Sequence, residues 1–289
     1  IKSQIEGAGL ILDKPLEFDA RIQRWKAEGE DRERRGWTKL REWMAPATGK
    51  TYIVGCYGIW HGNEDGYTKL EISKDNAVTL TAEDKAAIKA AHAEANRKLA
   101  EVRRAETKKA AQWAASVWNK CTPCAEHDYL TAKQIKPHGL RILPEDIGEA
   151  KLAGIDDSNF FRIKSAAGAL VVPMHNAKGE VQGLQFIYAK GHPRRVKIER
   201  DKEFWPSGMA MGGTFGLIGP VRRDGLLLIA EGYATAASLH EATGQSVAYA
   251  FSANNLVKAG KDLAKSYQLL RILFCADDDA YLDGYLNKR

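Results

Sequence analysis

Past residue 219 the chain alternates short apolar runs with longer amphipathic stretches. "GLLLIAEG", "SVAYAFSA" and "LLRILFCADDD" carry continuous apolar faces, as strands buried on both sides do. Between them, "YATAASLHEATG" reads as a helix closed by Gly244 and "NNLVKAGKDLAKSY" as a second helix. Apolar strands separated by helices of about a dozen residues predict a parallel sheet with helices on both faces.

Upstream the pattern changes three times. Residues 127–218 read as an α+β subdomain. "HDYLTAKQIKPHGLRIL" is a short helix and a Pro-Gly turn, and "GALVVPMHNAKGEVQGLQFIY" is a hairpin turning on Asn-Ala-Lys-Gly. A basic stretch follows, with Lys190, Arg194, Arg195, Lys197, Arg200 and Lys202 ahead of Phe204 and Trp205. Basic residues interleaved with aromatics suit a single-stranded nucleic-acid groove, and an exposed hairpin rim explains them equally well. Residues 81–126 open on "TAED" and run through Ala, Lys, Glu and Arg without Gly or Pro to about Lys120, as one long helix or two that would act as a spacer. Residues 1–80 form a strand-rich module, with "TYIVGCYGIWHG" and "YTKLEIS" broken by Gly and Asn. Its tryptophans, Trp25, Trp37, Trp43 and Trp60, are better placed for core packing than for stacking on bases.

Composition adds boundaries. With 289 residues, 44% of them hydrophobic, the chain can bury more than one core. The net charge of +6 suits a polyanionic partner without proving one. No run approaches a membrane span, so no membrane partner is expected. The chain begins at Ile1 without a recognisable leader and reads as a segment of something longer. Four cysteines, two of them isolated, imply a reduced, cytoplasmic setting. Cys121, Cys124 and His127 leave a zinc site one ligand short, so no zinc is expected. "APATGKTYIVG" imitates a phosphate-binding loop, but Met44 stands where the first Gly is needed and a strand follows instead of a helix.

The chemistry gathers at strand ends. Glu231 closes the first apolar run, and Asp277, Asp278 and Asp279 close the third. Ligands of such sheets bind at the carboxyl ends of the strands. Carboxylates brought together there would repel, and a hard divalent cation with oxygen ligands removes the repulsion. Alternation along an extended backbone turns Asp277 and Asp279 to one side and Asp278 to the other. The bland alternative is an exposed acidic turn, and Glu231 at a matching strand end weighs against it.

"LIAEGYATA" followed by "FCADDD" resembles the TOPRIM domain of bacterial primases, topoisomerases and some nucleases. The order "YLTAKQIKPHGLRI", "GALVVPMHNAKGEVQGLQFIY", "RRVK", "GTFGLIG" is similar to the catalytic core of DnaG-type primases, above all those of phages and plasmids. The likeness spans about residue 127 to the end and is strongest from 219. It implies an α/β fold: an incomplete TOPRIM domain over 219–289 preceded by a primase-core subdomain. It also implies that Glu231, Asp277 and Asp279 are catalytic and, with Asp278, hold Mg2+ or Mn2+. Arg194, Arg195, Lys197 and Lys202 would bind template or nucleotide. The partners implied are single-stranded DNA, ribonucleoside triphosphates and a replicative helicase, fused or separate, in a bacterial host cell. The four-ligand zinc module of cellular primases and any helicase motif are not seen. Two other readings stay open: a TOPRIM-type metal-dependent nuclease, and a non-catalytic single-strand-binding module.

Overall fold

The computed structural model describes the chain except residues 30–33, 45–48, 50, 60–67, 70–81, 146, 148–153, 223–224, 268–270 and 277–289. It forms two compact units, Ile1–Glu101 and Val102–Arg289.

In the first unit, α1 (Lys2–Glu6) precedes an antiparallel sheet of β1 (Leu10–Ile11), β2 (Asp19–Ala27), β3 (Gly36–Met44), β4 (Thr51–Ile59) and β5 (Thr68–Lys69), ordered as in the sequence. Alternation along the strands sends Trp25, Leu40 and Tyr57 to one face, where they bury Ile5 and Leu10. Trp25 satisfies its ring N–H on Thr38 Oγ1 at 2.9 Å. Trp25 and Trp43 are buried and Trp37 is half-buried, in keeping with a packing role. Trp60 lies outside the described residues.

One helix, α2 (Ala82–Lys120), runs across the boundary between the units. The spacer expected over 81–126 is therefore in part a core element. Its last turns carry Trp113, Ala114 and Val117 into the core of the second unit. Alanine made that stretch look featureless in sequence, yet small side chains are what allow a helix to lie close on a sheet.

The second unit holds two sheets. The first is antiparallel, ordered β10-β9-β8-β7-β6: β6 (Thr122–Pro123), β7 (Arg141–Ile142), β8 (Leu170–His175), β9 (Val181–Ile187) and β10 (Lys202–Trp205). Between these strands lie α3 (Asp128–Lys133), α4 (Asp157–Lys164) and α5 (Pro193–Ile198). The β8–β9 hairpin turns where expected, because Asn176 Oδ1 accepts from the N–H of Lys178 and of Glu180 at 2.9 and 3.0 Å.

The other sheet contains β11 (Gly216–Ile218), β12 (Leu226–Ala230), β13 (Ser246–Tyr249) and β14 (Arg271–Cys275), in the order β11-β13-β12-β14, with α6 (Tyr233–Thr243) and α7 (Ala253–Ser266) as crossovers. β12 pairs parallel with both β13 and β14, whereas β11 pairs antiparallel with β13. The strand β11 thus belongs to this sheet, although a boundary at 219 assigns it to the preceding subdomain. Gly216 faces Tyr249 across that pairing, and its missing side chain leaves the space that the tyrosine ring fills.

Period-two alternation explains why the sheet needs a layer on each side. Leu228, Ala230, Val247 and Tyr249 face a core shared with α6 and with Leu170, Val172 and Met174 of β8. Leu227, Ile229, Ala248 and Ala250 face α7 through Leu256, Ala259 and Leu263. Each large apolar side chain buried this way contributes roughly 1.5–3 kcal/mol. Among the described residues no helix is long and apolar enough to cross a membrane.

A buried amide ties the sheet to the glycine-rich turn before β11. Asn255 Oδ1 accepts from the Gly213 N–H at 2.6 Å, and its Nδ2 donates to the carbonyls of Thr214 and Ala250 at 2.7 and 2.8 Å. Asn255→Leu strands those three backbone groups in the interior. A loss of roughly 2–4 kcal/mol is expected, read as an earlier denaturant midpoint for the second unit.

Candidate functional site

The carboxyl ends of β12, β13 and β14 form one edge of the parallel sheet. In the register, Ala230 is the partner of Tyr249 on one side and of Cys275 on the other. Glu231 is therefore the first residue past β12, and Ala276 the first past β14. Asp277, Asp278 and Asp279 lie outside the described residues. The pairing continues beyond the strands at the β13 side. The N–H of Ala250 donates to Ala230 O at 3.0 Å, and that of Phe251 to Glu231 O at 2.7 Å. This holds the backbone of Glu231 in place at the edge, with the residue half-buried.

Helices α6 and α7 both begin at this edge, and neither first turn receives a hydrogen bond from its N-cap side chain. The N-cap of α6 is Gly232, where an added Cβ would meet nothing within 4 Å. Open space thus adjoins Glu231. Phe251 adopts a left-handed backbone, φ 68°, a strained conformation for an aromatic residue. Its ring packs edge-on against Tyr249, 5.2 Å between centroids, and against Phe204 of β10 at 6.2 Å. Tyr233 continues the row at 5.4 Å from Tyr249 and anchors its hydroxyl on Lys136 O at 2.9 Å. Burial pushes the Tyr233 hydroxyl well above the usual tyrosine range, so it stays a donor.

A carboxylate beside open space, on a strand paired with the one leading to three aspartates, offers the hard oxygen donors that Mg2+ prefers. Those residues fit a divalent cation by donor chemistry. Among the described residues alone no group of three His, Cys, Asp or Glu side chains converges.

The basic residues separate into two kinds. Arg194 is turned inward, its side chain only 9% exposed, and it grips Glu203 with Nε and Nη2 at 2.9 and 2.7 Å. Arg162 of α4 donates to the same carboxylate at 2.8 Å, as does the Tyr188 hydroxyl at 2.8 Å. Arg194, expected from the resemblance to bind template or nucleotide, thus braces α5 instead, because its Nε and Nη2 are taken up by Glu203. Lys197 and Lys202 are exposed and Arg195 is half-exposed. Lys197 Nζ sits 5.1 Å from the centre of the Phe161 ring, and Lys202 Nζ 5.6 Å from that of Tyr129. Arg195, Arg200 and Lys202 line a depression of about 580 Å³ with Gly191, Val196, Glu199 and Asp201. Trp205 is fully buried and packs on Phe186, so it is a core residue and no stacking platform.

Sequence reasoning missed Arg162, Tyr188 and Glu203. Their separations along the chain, 41 residues for Arg162–Glu203 and 15 for Tyr188–Glu203, match no local pattern. Cys121 and Cys124 are buried. Cys121 Sγ donates to Val117 O at 3.3 Å, and burial pushes its thiol up to about 12. His127 caps α3 by accepting from Tyr129 N–H at 3.2 Å, and burial lowers its pKa.

No protein-family model matches the chain. It is similar to DNA primase TraC of Escherichia coli, 31% identical over 112 residues. That segment is 38% of this chain and 7% of the relative, so the chain spans only a small part of the curated protein it matches. Among solved structures, the DnaG primase catalytic domain bound to ssDNA aligns over 61% of this chain and 63% of that one, at 12% identity. With a TM-score of 0.39, that alignment carries no argument about fold or function.

Burial raises the Glu203 carboxyl, but hydrogen bonds from Arg194 and Tyr188 and the charges of Arg162 and Arg194 outweigh it and hold it below its ordinary 4.5. Such a carboxyl contributes stability that is complete above 4.5 and lost as pH falls through the lower folded value. Glu203→Gln is expected to cost roughly 3–5 kcal/mol at neutral pH, because two poorly exposed guanidinium groups lose their counter-charge. It should also flatten the acid limb of the stability–pH curve measured by denaturation. In the folded wild type, burial is expected to make Cys121 alkylate far more slowly at neutral pH than the half-exposed Cys56 and Cys275, as mapped by mass spectrometry.

Proposed function

We propose that this chain is a catalytic core of a DNA primase of the phage or plasmid kind, joining ribonucleotides on a single-stranded DNA template. The observation that carries the reading is the parallel register of β12 and β14. It sets Ala230 beside Cys275 at one sheet edge, next to Glu231 on one strand and two residues before Asp277 on the other. The similarity to a DNA primase over 112 residues supports the same conclusion independently.

In this proposal the arrangement is that of a TOPRIM domain. Glu231, Asp277 and Asp279 hold Mg2+ or Mn2+, and Asp278 orients the nucleotide or acts through water. Bound there, the cation supplies charge neutralisation at the reacting phosphate and lowers the pKa of the attacking hydroxyl. The bond formed joins the primer 3′-oxygen to the α-phosphorus of the incoming triphosphate, the bond broken releases pyrophosphate, and the hydroxyl proton passes to solvent. Arg195, Lys197 and Lys202 bind triphosphate or template backbone through charge-assisted hydrogen bonds. Arg194 acts behind them, holding α5 in place through Glu203. A replicative helicase, fused or separate, is the partner this activity implies.

The test is incubation with single-stranded DNA, labelled ribonucleotides and Mn2+, resolved for short products. Primers are expected from the wild type. Asp277→Asn combined with Asp279→Asn should reduce synthesis to background while leaving binding to the template largely intact, and Glu231→Gln should do the same. Shortening of a labelled oligonucleotide in the absence of triphosphates would instead establish a nuclease.

A further inference from the structure

A groove about 720 Å³ in volume runs between the second half of α2 and the start of β9. Arg104, Lys108, Ala111 and Ala115 recur at intervals of four, three and four, which places them on one helix face, with Arg103, Thr107 and Gln112 beside them. Glu180, Val181 and Gln182 form the opposite wall. The half-buried alanines leave the floor open. Glu180, the one acid of the lining, is bonded to Asn176 Nδ2 at 2.7 Å.

The charge of this helix face is uncompensated. Farther up α2, basic residues are matched by acids one turn away: Arg97 with Glu94 and Glu101, and Lys98 with Glu94. The three cations that line the groove depart from that pattern. Among the described residues Arg103, Arg104 and Lys108 have no carboxylate partner, and Arg104 and Lys108 are like charges one turn apart. Such a pair costs a helix a few tenths of a kcal/mol, which a counter-ion outside the chain would recover. Their positions differ by roughly 6 Å of helix rise, so each can meet a separate anionic group of an extended polymer.

We infer that this groove holds the sugar–phosphate backbone of a single nucleic-acid strand, with Arg104 and Lys108 on successive phosphates and Arg103 at the rim. The exposed amide of Gln112 can donate to and accept from a base edge, whereas Gln182 Nε2 donates to the carbonyls of Glu180 and Val181 at 3.3 and 3.4 Å and leaves its Oε1 to accept. A cationic row over an alanine floor, with Glu180 the one carboxylate of the lining and bonded to Asn176, suits an extended polyanion, and a polar amide beside it suits a nucleic-acid strand better than an acidic peptide, which has no base edges to satisfy. The strand's identity as the primase template rests on the function proposed above; the groove's affinity for single strands does not.

The test measures fluorescence anisotropy of labelled oligothymidylate at stepped salt concentrations. For Arg104→Ala with Lys108→Ala, affinity should fall and the slope of log affinity against log salt should shrink by roughly 1.4, about 0.7 for each phosphate lost. Both residues are exposed and alanine favours helix, so the thermal melt should not drop. A photo-crosslinking residue in place of Gln112 should attach to the oligonucleotide. An unchanged salt slope, an absent crosslink, or an equal loss of binding to polyglutamate would each overturn the groove assignment. Primer synthesis separates the two proposals. If the wild type makes primers but the double variant keeps its slope, the groove fails and the primase reading stands. If the slope falls while the wild type makes no primers, the groove stands alone.

Discussion

Everything at the candidate site depends on strand β12 being buried on both faces between two parallel neighbours. Leu227 and Ile229 need α7, Leu228 and Ala230 need α6 and the hairpin sheet, and a slip of one residue would exchange the two sets. That requirement fixes the register, and the register fixes which residues leave the sheet together. Glu231 reaches the edge because Ala230 is the last position the core demands. The hydrogen bonds from Ala250 and Phe251 then carry the pairing one step past the apolar run.

Beyond the sheet, the second unit is organised by a few polar clamps that act at long range. Asn255 joins the start of α7 to the turn before β11 and to the end of β13. Glu203 gathers Arg162, Arg194 and Tyr188 from α4, α5 and the end of β9. Buried charge of this kind is a weak source of net stability, but losing one member leaves the rest uncompensated. Its effect here is to set the orientation of α5, and with it the outward directions of Arg195 and Lys197.

The parts of this architecture legible in sequence are those with a local cause. The helices flanking β13 follow from their length and from Gly244, which closes α6 in the left-handed region at φ 67°. The β8–β9 hairpin follows from Asn176 and Gly179. The sorting of the basic stretch was not legible. "RRVK" offers three cations of equal standing, and only the fold shows that Arg194 faces Glu203 while its neighbours face solvent. Likewise, Ala111 and Ala115 carry no visible signal until the wall formed by Val181 and Gln182 stands opposite them.

By itself, the sequence determined the alternating strand–helix grammar between residues 226 and 275 and the position of Glu231 directly after a strand, because periodicity and punctuation are properties of neighbouring residues. Tertiary structure alone decided the strand order, the addition of β11 as an antiparallel strand to the otherwise parallel sheet, the entry of α2 into a core, and the separation of Arg194, which braces Glu203, from the more exposed Arg195 and Lys197. Those outcomes depend on contacts between residues tens of positions apart. The chain's local preferences are silent about such contacts, and only the competition for buried surface and for paired charge resolves them.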